Sequence, residues 1–501
     1  MTVLIIILAL IVLLVAVVLI RTAAFKPPRA NPAAAPILAP EPAAEVLGRL
    51  SRAISFPTVC TQAYEGTDFG PFEGFIGFLA GAFPLFHKTC ELKRINGYAL
   101  VFCWKGNKTG LKPMILTAHY DVVPVEKGTE AEWQEPGYSG AISGGKVWGR
   151  GTLDIKSQLM AHLEAAENLM RRGFQPARDF YFIYGQDEET GGRNGAAKVA
   201  EYLDEQGIRP EGVLDEGGMV VSGVLKGVKA PLALIGVAEK GFCNYEMTLS
   251  GEGGHSSMPP VHTALGNAAR LVTEIEKRPY PAKLTAPVEG MLRNIAGEMG
   301  FLVRMAVANL WLFRPLLLRI FSANPVTNSM VRSTFAATMA RASDAANVLP
   351  QKAAVTVNVR LLPGDTVDAV EGYFRGLAGK VPGAVKGRPG TDISIKTLVP
   401  AEASKISPAG GETGPVYEYL EKLIGEFFPN AISSPFLVMG GTDARKYYRV
   451  SDQVYRFTPV LVTDAEKNTA HNTNEYITIE NYGRMILFYE RFIEGFDPSR
   501  G

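Results

Sequence analysis

His119, Asp121, Asp154, the pair Glu188-Glu189, Asp215 and His471 form an ordered series of imidazoles and carboxylates along the 501-residue chain. Imidazole nitrogen and carboxylate oxygen are the donors zinc prefers, and several carboxylates in one place suit a pair of ions. Taken singly, each acid would be an ordinary solvated charge. The chain holds six histidines, however, and two of them stand among acids at strand-end or loop positions. Short apolar runs precede the candidates: 114–118 before His119, 180–185 before Glu188 and 212–214 before Asp215. Runs of that kind, bounded by Gly and Pro, read as buried parallel strands. Functional groups of open α/β sheets gather beyond the carboxyl ends of the strands, so these distant residues are expected to converge.

Eight segments occur in an informative order: LTAHYDVVPV (116–125), VWGRGTLDIK (147–156), GQDEETGG (185–192), VLDEGG (213–218), GEGGHSSMPP (251–260), NVRLLPGDT (358–366), GGTDAR (440–445) and HNTNEYI (471–477). Together they resemble the di-zinc aminoacylase/carboxypeptidase family of metallopeptidases. HYDVVPV and the stretch 308–328 are similar to its carboxypeptidase S and N-fatty-acyl-amino-acid hydrolase/synthase branch. The resemblance spans roughly residues 45–495. It implies that His119 and Asp215 bind one zinc, that Glu189 and His471 bind the other, and that Asp154 bridges them. Co2+ or Mn2+ are the expected substitutes.

Asp121 lies two residues after His119 and, on an extended chain, on the same face, where it can accept the second ring N–H and fix the tautomer. Glu188 cannot easily share an ion with Glu189 if the two side chains diverge. It is therefore free to take a proton from a metal-activated water and pass it to a leaving amine. The resemblance assigns His255, in a Gly-rich turn, to the developing oxyanion, often across a dimer interface. A homodimer is expected on that ground. Arg360 alternates with apolar residues in AVTVNVRL, and its guanidinium fork suits a substrate carboxylate, the role the resemblance gives it. Asn347 and the loop 440–445, with Gly441 and Thr442, are expected to line the same pocket. His87, His162 and His262 read as structural or solvated.

The chain is too long for one ordinary core, and 47% hydrophobic with 20% charged residues is a globular balance. A net charge of +1 gives no electrostatic case for nucleic-acid binding. The expected fold is α/β: a zinc-exopeptidase-like catalytic domain with a mixed sheet flanked by helices, residues 46–240 and 403–501. Residues 241–402 are expected to form an inserted α+β lid or dimerisation domain. Residues 3–20 are an unbroken apolar run, about 27 Å long as a helix and close to the hydrocarbon thickness of a bilayer. A single-pass anchor over 1–26 is expected, followed by a Pro/Ala-rich tether over 27–45. Arg21, Lys26 and Arg29 after the span favour a cytoplasmic enzyme, whereas the resembling eukaryotic proteins face a lumen or the exterior. The side is left open, and so are the cysteines, since four allow three pairings or none.

Residues 280–335 exceed a minimal lid. The stretch 301–321 is strongly apolar with Arg304, Arg314 and Arg319 along it, and Pro315 is expected to kink or break a helix there. It reads either as packed structure or an oligomer contact, or as an interfacial segment bringing acyl chains or a membrane near the site. The function expected is hydrolysis of the amide bond beside a free C-terminal amino-acid carboxylate, in short peptides or N-acyl amino acids. Net synthesis of N-acyl amino acids by reversal is a rival, and a non-catalytic membrane-tethered binding protein is another.

Overall fold

The apolar runs Met114–His119 and Phe180–Gly185 are buried along their whole length, because each is an interior strand of a sheet covered on both faces. The computed structural model describes residues 1–28, 37–223, 227–381, 393–409, 414–463, 466 and 469–496. Arg29 and the tether residues 29–36 lie outside the described residues.

A ten-stranded mixed sheet forms the large unit. Its centre is four parallel strands in the order Phe180–Gly185, Met114–His119, Gly212–Asp215 and Val454–Arg456. Antiparallel Ala99–Trp104 adds to one side, and Leu232–Glu239, paired in parallel with Ile432–Val438, to the other. Helices Lys156–Arg171 and Ile479–Gly495 pack together on one face within the main core, and Ala196–Glu205 covers the other face. His119, Gly185 and Asp215 thus end three adjacent parallel strands.

Residues 241–401 contain a separate four-stranded antiparallel sheet, ordered Thr334–Arg341, Lys352–Leu361, Gly241–Ser250 and Ile393–Ala401. Alternate residues of Gly241–Ser250 and Lys352–Leu361 are buried, as a sheet with one covered face requires. Helices Ala264–Lys277 and Val367–Ala378 supply that cover and its core. The hydroxyls of Thr263 and Thr366 cap them by accepting from the N–H groups of Gly266 and Ala369.

The stretch 241–402 is nevertheless not one unit in space. Helices Ala286–Ile295, Phe301–Ala308, Leu310–Ser322 and Pro325–Val331 leave the small sheet and form a third core with strands of the large one, including Ile432 and Leu437. Pro315 lies inside Leu310–Ser322 without ending it, and the break falls at Asn309 instead. There the side-chain amide donates both to Met305 O of the helix it ends, at 3.0 Å, and to Val18 O at 3.2 Å and Thr22 Oγ1 at 3.1 Å.

Val18 and Thr22 belong to the amino-terminal helix Thr2–Ala24, apolar and, at about 35 Å, long enough to cross a bilayer. Nearly all its side chains before Val18 are exposed. Residues 37–42 do not hang free as part of a tether. Ile37 N–H donates to Glu426 O at 3.0 Å, and Pro42 packs against Gly483. All four cysteines are buried free thiols.

Candidate active site

Where the central parallel strands end, five acidic and imidazole side chains close on one another. His119, the last residue of its strand, points Nε2 at Asp154 Oδ1 and at Glu216 Oε1, each 3.2 Å away. Its Nδ1 lies 3.0 Å from Asp121 O and 3.3 Å from Asp121 Oδ1. The other imidazole, His471, sets Nε2 2.9 Å from Asp154 Oδ2 and 3.2 Å from Glu189 Oε1. Asp154 therefore lies between the two rings, one oxygen toward each. Ligand atoms of His119, Asp154 and Glu189 fall within 4.8 Å of one another, and so do those of His119, Glu188 and Glu216.

Asp121 holds this arrangement from beneath. Its Oδ1 accepts the backbone N–H of Glu188 and its Oδ2 that of Glu189, both at 3.1 Å. One carboxylate thus fixes both the His119 ring and the turn carrying the paired glutamates. That turn, Glu188–Thr190, ends at Gly191 with φ +102°. The next residue, Gly192, has φ +62°, and a Cβ there would meet the Asp443 carboxylate, so both its backbone conformation and its surroundings favour glycine.

Two buried glutamates that sequence reasoning passed over do comparable structural work. Glu475 Oε1 accepts the N–H groups of Gly151, Leu153 and Asp154 at 3.0, 2.9 and 3.2 Å, while Oε2 pairs with Arg150 at 2.6 Å. The loop presenting Asp154 is wrapped around that carboxylate. Glu239 meets Arg456 at 2.7 Å, both fully buried, and accepts Thr442 N–H at 3.1 Å and Thr442 Oγ1–H at 2.7 Å. That pair orders the loop bearing Gly441 and Thr442. Glu475 lies inside the segment HNTNEYI, directly after Asn474 with φ +62°, and nothing in its local sequence distinguishes it from a surface acid.

Asp215 is brought into neither group. It pairs across the sheet with Arg456 and so faces the buried Arg456–Glu239 pair, while the next residue, Glu216, turns toward His119. Successive residues leaving a strand point to opposite sides, and the apolar run marked the strand end one residue before the side chain that reaches the centre. Asp215 remains close enough to matter electrostatically. Burial pushes its carboxyl up to about 6.

The electrostatics describe a centre short of positive charge. Burial, then Glu216, Asp443 and Glu189, raise the Glu188 carboxyl well above its ordinary value against the pull of His119. Burial and Asp154 push Glu216 up to about 8. Burial opposes a charged His119, yet Glu216, Asp121 and Asp154 push its pKa well above that of an ordinary histidine. Hydrogen bonds to Asp154 and Glu189 raise His471 to about 10. Carboxyls forced toward neutrality and imidazoles forced toward charge are what a crowded nitrogen and oxygen donor set shows when protons balance it. Divalent cations would balance the same charges, so the residues fit metal.

The small sheet places the remaining candidates elsewhere. Arg360 lies over the Phe242 ring, 4.9 Å to its centre, and burial together with nearby Arg445 lowers its pKa. Arg445 donates to Glu402 O and lies near enough to Arg360 for the two guanidinium groups to repel. His255 and Asn347 share a short ribbon in which His255 pairs with Val348 and Ser256 N–H donates to Asn347 O at 3.1 Å. Both are exposed. Among the described residues, no hydrogen bond or ion pair joins His255 to the carboxylate centre. His162 is buried beside Tyr489 without a hydrogen-bond partner, and burial lowers its pKa to about 3, making it a neutral core residue.

A mixed α/β sheet with paired histidines and carboxylates at its strand ends is the architecture of a metallopeptidase. The pattern of Peptidase family M20/M25/M40 matches residues 115–495, and the chain belongs to that family of enzymes. It is 33% identical over 460 residues to "Probable carboxypeptidase S-like 2" of Dictyostelium discoideum, covering 90% of this chain and 85% of that protein. It is 33% identical over 495 residues to "N-fatty-acyl-amino acid synthase/hydrolase PM20D1" of Xenopus tropicalis, covering 97% and 94%. Among solved structures, an M20 family metallo-carboxypeptidase, Sso-CP2 from Sulfolobus solfataricus, superposes with a TM-score of 0.64 at 16% identity. That match covers 90% of this chain and 99% of the other.

Proposed function

We propose that this enzyme hydrolyses the amide bond next to a free C-terminal amino-acid carboxylate, in short peptides or N-acyl amino acids. The observation that carries the reading is the centre itself: Asp154 set between His119 and His471, with Glu189 and Glu216 completing two donor groups. In this reading His119 and Glu216 hold one ion, Glu189 and His471 the other, and Asp154 serves both. Glu216 takes the place the sequence reading gave to Asp215. Two zinc ions bound there, or Co2+ or Mn2+ in their stead, would supply Lewis acidity for the carbonyl and for the attacking water.

Glu188 is the proton carrier. Its backbone N–H is fixed by Asp121, and its carboxylate oxygen lies within 4.8 Å of donor atoms of His119 and Glu216, where a water held at the centre would meet it. It takes the proton from the attacking water and delivers it to the amine nitrogen that leaves. Arg360, with Arg445 beside it, offers the fixed positive charge a substrate carboxylate requires. His255 Nε2 is free to donate to the oxyanion once the exposed ribbon is brought over the centre, by movement of the small sheet or from a second copy. Gly441, Thr442 and Asn347 line the approach.

The same groups catalyse the reverse condensation when fatty acid and amino acid are abundant, and the similarity to a synthase/hydrolase supports keeping that direction in view. The amino-terminal helix is read as a membrane anchor, with the membrane side left open. The test is turnover of N-acyl amino acids and dipeptides against the same compounds with a C-terminal amide, with and without metal. Faster cleavage of the amides would refute recognition of a free carboxylate. Full activity after exhaustive chelation would refute the metal.

A further inference from the structure

The apolar surface of the amino-terminal helix continues past the point where the helix docks on the rest of the chain. Its lower end is docked: Val18 O and Thr22 Oγ1 accept from Asn309, and Arg304 donates to Phe25 O at 2.9 Å. The part standing clear, from Thr2 to Val17, is about 24 Å long, against a hydrocarbon core of about 30 Å. Leu19 and Ile20, exposed between the docked Val18 and Thr22, carry the apolar surface of the helix down to the docked level, so lipid around the helix reaches that level too.

The residues at that level are suited to it. Helix Leu310–Ser322 is apolar on two sides. Leu310 and Leu317 are buried in the third core, while Leu312, Leu316 and Ile320, spaced four apart on another face, are exposed together with Trp311. In the preceding helix Phe301 and Leu302 are 59% and 72% exposed. A contiguous apolar surface beside a helix of membrane-spanning length has a ready neighbour in lipid.

The geometry points to a bilayer-seated platform: helices Phe301–Ala308 and Leu310–Ser322 lie in the lipid interface beside the span and fix the orientation of the enzyme on the membrane. Exposed Arg319 on the same helix can reach the headgroups. This rests on reading the amino-terminal helix as a span, and does not depend on which amide is cleaved. Lys240 ties the platform to the domain junction by donating to Ser329 O and Arg332 O, each at 2.9 Å, at the end of the same helical insertion.

The chain supplies its own reporter. Of its four tryptophans, Trp104, Trp133 and Trp148 are buried and Trp311 is 55% exposed. The full chain is reconstituted in phosphatidylcholine vesicles, and Trp311 emission is taken as the difference between wild type and Trp311→Phe. Lipids brominated near the headgroup end of the acyl chain should remove most of that difference emission, and aqueous iodide should remove little. Protein that floats with vesicles but stays unquenched by bromolipid and open to iodide overturns the platform alone. Shielding from iodide without bromolipid quenching means a second copy covers the face, and also overturns it. Failure to float with vesicles defeats the span reading and the platform with it.

Discussion

The carboxylate centre and the His255 ribbon are built on opposite plans. Around the centre, the loops that carry the clustered side chains are tied to buried anchors: Asp121 to Glu188 and Glu189, Glu475 to the Asp154 loop, Glu239 to the Thr442 loop. Among the described residues the ribbon has no such buried acid behind it. There His255 Nδ1 meets Ser257, two residues away, and the ring is exposed. Metal sites demand donors held to a fraction of an ångström, and buried second partners provide that rigidity. A group that acts only as charge develops on the substrate can arrive with a moving element or another subunit. The contrast predicts that disturbing the centre alters metal binding, whereas disturbing the ribbon alters turnover alone.

The largest effect should come from Glu188→Gln, which removes the proposed proton carrier and leaves the proposed metal donors in place. The turnover number should fall by about 10²–10⁴-fold, with metal content unchanged by elemental analysis. Near-normal turnover would remove Glu188 from the mechanism. His255→Ala is expected to cost about 10²–10³-fold in turnover, again at full metal content. If the ribbon reaches across a dimer, mixing His255→Ala with Glu188→Gln protein should restore activity, since one mixed site has both residues. Absence of rescue after demonstrated subunit exchange would place His255 in its own chain's site.

On the centre's side, Glu475→Gln should lower metal affinity by about 10–100-fold although Glu475 touches no donor atom directly. It loosens the loop behind Asp154 and leaves Arg150 without its charged partner. Unchanged affinity, measured by competition with a chelator, would mean that the loop is held by other contacts.

The smallest effect is in pH dependence without metal. His471, raised to about 10, contributes stability that is full below its unfolded value near 6.5 and lost as pH rises through about 10. Glu216, raised to about 8, favours the protonated folded state, so its ionisation destabilises the fold as pH climbs from about 4.5 through 8. Both signs agree: metal-free protein should lose melting temperature across pH 5–10 in steps that zinc suppresses. A flat profile without metal would show that the crowded charges are relieved by solvent.

Much of the centre could be read from sequence because its chemistry coincides with strand ends. His119 and the Glu188-Glu189 pair follow apolar runs that are strands in the structure, and the run 212–214 before Asp215 is one as well. Asp215 and Glu216 show the limit of that signal. An apolar run locates the end of a strand but not which of two adjacent acids turns inward, and pairing with Arg456, some 240 residues away, decides it. Glu475 and Glu239 were hidden for a related reason: their partners come from distant loops, so their burial has no local pattern. The insertion is the extreme case. Asn309 meets Thr22 across 287 residues, and it is this contact, not Pro315, that coincides with the break between the two helices.

The account stands or falls on which residues hold the metal. Elemental analysis of purified wild type, Glu216→Ala and Asp215→Asn, each after equilibration with excess zinc and removal of the unbound metal, tests it directly. Wild type and Asp215→Asn should retain two equivalents per chain, and Glu216→Ala close to one. Two equivalents in Glu216→Ala with a loss in Asp215→Asn would contradict the centre as described.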